Sequence, residues 1–73
     1  KMMKYKVLGT FPIGQNTSVT IQGNGDGLRN NMEIRDSSGI AHQLITVAMN
    51  VERRKEHDIL LIQGVFDSKE IIV

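Results

Sequence analysis

Ile59-Leu60-Leu61-Ile62-Gln63-Gly64-Val65 is the stretch that decides how this chain is read. Four apolar residues in a row, closed off by a glycine, are too short for a buried helix and match a strand. An unbroken apolar run of this kind predicts a strand covered on both faces. Gly64 weakens or bends it, and Val65-Phe66 extend it. Just before it, Glu52 to Asp58 reads as a charged loop.

Working outward, strand signals recur at short, regular intervals, and no helix-period segment of useful length interrupts them. Ile40 to Val51 reads as a longer strand. Ala41, Ile45, Val47 and Met49 supply one face, and His42, Leu44 and Thr46 the other. Asp36-Ser37-Ser38-Gly39 is a turn. Met32 and Ile34 alternate with Glu33 and Arg35 in a short strand. Gly23-Asn24-Gly25-Asp26-Gly27 holds both an Asn-Gly and an Asp-Gly step and predicts a hairpin turn, because these residues accept positive φ. Val19 and Ile21 alternate with polar residues, as do Met3, Tyr5 and Val7. Pro12 cannot donate to a ladder, so the first strand ends there or runs along an edge. Past the apolar run, Asp67 to Glu70 fits one helical turn with Asp67 as its cap. Ile71-Ile72-Val73 closes the chain as a last short strand. Six strands in 73 residues predict a single all-β domain spanning 1–73, a small six-stranded antiparallel barrel.

Composition narrows the function classes. Nine Lys and Arg stand against eight Asp and Glu, a net charge of +1. That gives no support to a dedicated nucleic-acid domain, where a basic excess supplies most of the affinity. There is no cysteine, so disulfides, zinc–thiolate sites and thiol chemistry are excluded. No apolar run approaches the roughly 18 residues of a membrane span. The stretch from Lys1 to Lys6 is too polar for a signal peptide, so a cytoplasmic location is expected. Asn16-Thr17-Ser18 matches a glycosylation acceptor, which has no meaning without secretion.

Three stretches resemble domain 2 of the translational GTPases of the elongation factor Tu type. They are Phe11-Pro12-Ile13 with Thr17-Ser18-Val19-Thr20-Ile21-Gln22-Gly23, then Gly27-Leu28-Arg29-Asn30-Asn31-Met32-Glu33-Ile34, then Ile59 to Val65. The resemblance runs from about Val7 to Ile72 and implies a six-stranded barrel that contacts tRNA or ribosome. The family places Gly-Asp where this chain has Asn30-Asn31, and Arg-Gly where Glu70 meets Ile71. No phosphate-binding loop of the glycine-rich, Lys-Ser or Lys-Thr type occurs anywhere in this sequence.

Candidate chemistry is sparse. Gln22, Asn24, Asp26, Gly27 and Glu33 have the spacing of a calcium loop. The first ligand is wrong, however, and the flanks read as strands. The same glycines fail the dinucleotide spacing, because Leu28 stands where a third glycine belongs. His42 has Gln43 and Thr46 near it and no carboxylate. His57 lies beside Glu56 and Asp58. Neither shows the base-and-orienter arrangement of a catalytic site. Of the aromatics Tyr5, Phe11 and Phe66, two are expected in the core, which leaves little for stacking on bases. Arg53-Arg54-Lys55 is the one basic cluster, flanked by Glu52, Glu56 and Asp58; it is the candidate contact to a partner or to phosphate. The sequence thus predicts a non-catalytic interaction module with no cofactor and no metal. It docks on a protein or on a second copy, in part through the edge of Ile71-Ile72-Val73. The alternative is an RNA- or ribosome-associated module.

Overall fold

The structure, a computed structural model, describes residues 2–48 and 56–73. Six strands form: β1 (Lys4–Ile13), β2 (Asn16–Gln22), β3 (Met32–Arg35), β4 (Ala41–Val47), β5 (His57–Gln63) and β6 (Glu70–Ile72). They close into an antiparallel barrel in the order β1-β2-β5-β4-β3-β6. No helix among the described residues is long and apolar enough to cross a membrane.

The pleat builds the core. Val19 and Ile21 of β2, Leu60 and Ile62 of β5, Leu44 of β4, Ile34 of β3 and Ile71 of β6 point inward and are buried. Each such side chain contributes about 1.5–3 kcal/mol through burial. Tyr5, Val7, Leu28 and Phe66 complete the cluster. Its members come from every strand, so no strand pair has a core of its own.

β1 and β2 form a two-residue hairpin with Ile13 opposite Asn16. Gly14 has φ +60 and Gln15 does not share it. Glycine is needed at the first central position of such a primed turn, whose twist matches that of the strands. Pro12 lies inside β1, opposite Thr17, where β1 has left β6 and keeps only β2 as a neighbour. The residues flanking a two-residue turn bond to each other, so alternation sends Gly9, Phe11 and Ile13 toward β2. Thr10 and Pro12 then face the open side, where the missing N–H of proline breaks no ladder bond and blunts the edge.

Gly23 to Gly27 turns the chain but does not make a hairpin. β2 pairs with β1 and β5, and β3 with β4 and β6. The segment therefore crosses from one side of the barrel to the other and lowers Leu28 into the core. It is tied at both flanks: the Tyr5 hydroxyl donates to the Asp26 carbonyl, and the Gly25 N–H donates to Asp58 Oδ2 at 2.6 Å. Burial, and then the charge of Asp26, raises the Tyr5 pKa. Asn31 ends the crossing with φ +66, a conformation that asparagine tolerates. Its N–H bonds the Leu44 carbonyl, and Asn30 Oδ1 accepts from Val47 N.

Several expectations are corrected. The pairing of β4 with β5 slips between Leu44 and Thr46, so a bulge at Ile45 changes the phase of the strand. Leu44 and Val47 consequently share the core side, and strict alternation fails within β4, while Met49 to Val51 lie outside the described residues. His57 and Asp58 belong to β5 rather than to a loop, and Asp58 is 4% exposed. β5 is not covered on both faces: Leu60 and Ile62 are buried, but Ile59 is 46% exposed. Gly64, with φ +78, ends β5 instead of letting Val65 and Phe66 extend it. Val65 swings out while Phe66 drops into the core. Asp67 to Glu70 forms no helical turn. Ser68 Oγ takes the local role, accepting from Glu70 N and Ser37 N, and Glu70 begins β6.

Thr17 fixes that reversal. Its buried hydroxyl donates to the Gly64 carbonyl at 2.7 Å and accepts from Phe66 N at 3.2 Å. Thr17→Val keeps the shape and strips both bonds, so it is expected to destabilise the barrel by about 1–3 kcal/mol in urea unfolding. An unchanged midpoint would show that the hydroxyl does not hold the Phe66 plug.

Candidate functional site

The described residues among those singled out from the sequence do not gather into one place. Arg53, Arg54 and Lys55 lie outside the described residues. Ile71-Ile72-Val73 offers no open edge to a partner. β6 already pairs with β1 on one side and β3 on the other, and Val73 exchanges two backbone bonds with Met3. The calcium-like spacing falls on strands β2 and β3 and the crossing between them. There Asn24 Oδ1 accepts from Asp26 N, and Glu33 pairs outward with Arg35 at 3.0 Å. Among the described residues no three of His, Asp and Glu come close enough to hold a metal ion.

His42 does have a carboxylate, which local sequence could not show. Its Nε2 sits 2.8 Å from Asp36 Oδ2 across the β3–β4 turn, and both side chains are largely buried. Phe66 meets the ring edge-on at 4.9 Å. Asp36 Oδ1 meanwhile accepts from Ser38 N and Ile40 N. The carboxylate is thus used up in holding one turn and one ring. The His42 bond, and next the Ile40 bond, hold the Asp36 carboxyl below the usual carboxylate range. His57, by contrast, is exposed on β5 opposite Gln22.

The remaining surface feature was missed because it arises from pairing. Register places Phe11, Ser18, Leu61 and Thr46 in one outward row across β1, β2, β5 and β4. The next row holds Gly9, Thr20, Ile59 and Ala48, with Ala48 N bonded to the Ile59 carbonyl. A third holds Ile13, Asn16 and Gln63. None of these residues is charged. Phe11 is 66% exposed and Ile13 51%. Small residues in the middle leave a hollow of about 190 Å³ lined by Ile13, Ser18, Thr46, Ala48, Ile59, Leu60 and Leu61. The one signal in the sequence was the unbroken Ile59–Ile62 run. Half of it was bound to face outward unless a second layer covered it.

A smaller hollow of about 140 Å³ lies where β1 parts from β6, between Val7–Thr10 and Asp67–Lys69. The pairing of β1 with β2 slips there, which makes Leu8 a bulge residue.

No protein-family model, curated protein or solved structure matches this chain.

Because the folded pKa of Asp36 is lowered, its contribution to stability is complete above its ordinary value, about pH 4, and is lost as pH falls through the lower folded value. The stability advantage of wild type over Asp36→Asn is therefore expected to be largest above about pH 4 and to shrink in more acid solution. Thermal unfolding at a series of pH values checks this. A difference that stays constant down to the acid limit would contradict it.

Proposed function

We propose that this chain is a non-catalytic β-barrel docking module that offers the outward face of β1, β2, β5 and β4 to a protein surface. The observation that carries this reading is the uncharged, three-row face on which Phe11, Ile13 and Ile59 stand in solvent among small and uncharged polar residues. With a strand spacing near 4.8 Å and rows about 6.8 Å apart, the face measures roughly 20 Å by 20 Å, or about 400 Å². Its apolar members make up part of that area, and apolar side chains gathered in solvent on a small protein often mark a contact surface. A chain this short also buries only about 60% of the surface it exposes when unfolded, so a partner adds burial that the barrel alone lacks. A cytoplasmic setting suits a chain with no cysteine.

The second reading, an RNA- or ribosome-associated barrel, is supported by the resemblance to translation-factor domain 2 and by Arg53, Arg54 and Lys55. The two readings use different surfaces, which makes them separable. With a photo-crosslinking benzoylphenylalanine at position 59, discrete protein adducts are expected in native extract. The same group at position 40, exposed at the start of β4, is expected to give none. Absence of adducts at 59, together with retention of the chain on immobilised tRNA that is lost in salt, would transfer the assignment to RNA.

A further inference from the structure

The outward face carries a knob and a hole side by side. The knob is Phe11, standing clear of β1. The hole is the hollow over Ser18, Thr46 and Ala48, walled by Ile13, Ile59 and Leu61. Phe11 sits directly opposite Ser18, so the two are neighbours on one surface. The hollow, at about 190 Å³ and open to solvent, has room for a phenyl ring.

A surface that presents a projection beside its own complement fits a copy of itself. Rotated by a two-fold axis between knob and hole, each Phe11 enters the hollow of the opposite molecule, the isologous pattern of most homodimers. Two-fold pairing also brings each residue near its own copy, which penalises like charges. The three rows of this face contain no charged residue. The free edge of β1 is a poorer route to self-association, because Pro12 removes a donor from it.

The geometry points to a second copy of this chain as the occupant of the outward face, with Phe11 of each molecule seated in the hollow of the other. The inference rests on the docking reading above and deepens it. Its strength is bounded by area: about 400 Å² from each molecule is half of the roughly 800 Å² that stable complexes take. The pair is therefore a weak, concentration-dependent dimer.

Sedimentation of the purified chain over a wide concentration series tests it. Wild type is expected to shift from monomer toward dimer as concentration rises. Phe11→Ser removes the knob and is expected to stay monomeric at every concentration. Thr46→Phe fills the hole from within, keeps the knob, and is expected to do the same. Both changes lie on the outer surface, and amide NMR dispersion confirms that each variant is folded. Ile40→Ser, at a residue 60% exposed in the β3–β4 turn and outside the three rows, is expected to dimerise like wild type. A wild type that remains monomeric throughout, or a dimer that survives both Phe11→Ser and Thr46→Phe, would overturn the inference. If wild type is monomeric while the position-59 crosslinker still captures a foreign protein, the second copy is ruled out and the docking reading stands. If neither occurs, both fall.

Discussion

β5 is held from both sides, by β2 along its whole length and by β4 over Leu60 to Ile62, so its pleat is fixed and none of its residues is free to change faces. A slip of one position would exchange Leu60 and Ile62 for the equally apolar Ile59 and Leu61, so the pairing with β2 and β4, and not hydrophobicity alone, decides which pair faces inward. Two consequences follow from this one constraint. Leu60 and Ile62 sit at the centre of the barrel, against Val19, Ile21 and Leu44. Ile59 and Leu61, equally apolar, are held on the outside beside Phe11 and Ile13. The strand that anchors the fold also creates the feature most in need of a partner.

Closure removes the other means of contact. β6 is only three residues long, yet it fills the gap between β1 and β3 and buries Ile71 completely. β6 meets β3 only at Arg35, so strand addition is confined to short stretches of β3 and β1. Proline blunts the one stretch of β1 that lacks a second neighbour. A face of side chains is the larger surface for the proposed contact. The buried polar groups tell the same story from inside: Asp36 is engaged by His42 and two backbone N–H groups, and Thr17 by Gly64 and Phe66. These side chains are used to hold turns in place, and their chemistry is not turned toward solvent.

How much of this was legible in the sequence depended on the range of the interaction. Period-two alternation around Val19, Ile21 and Ile34 is local, and the six-stranded barrel could be read from it. The Asp36–Gly39 turn and the left-handed Asn31 are local too. Pairing order was not legible, because Gly23–Gly27 announces that the chain turns and is silent on which strands it joins. The bulge at Ile45 was hidden for a similar reason: it is set by how β4 lies on β5, and it places Val47 beside Leu44 on the core side. Asp36 and His42 are six residues apart and meet only once the β3–β4 turn has formed. The outward face was the hardest feature to see. It is assembled from four strands, of which only β1 and β2 are joined by a tight turn. The apolar run in β5 that signals it also fits a doubly covered strand.

The central claim is that the face shared by β1, β2, β5 and β4 is where this barrel makes contact, and that a second copy fills it. The most direct measurement follows the amide resonances of the purified chain as its concentration is raised. The account predicts that the signals of Phe11, Ser18, Thr46, Ile59 and Leu61 move together along one binding curve, while those of Ser38 and Ile40 in the β3–β4 turn stay fixed. Resonances that do not move at any concentration, or movement centred on Ser38 and Ile40, would contradict it.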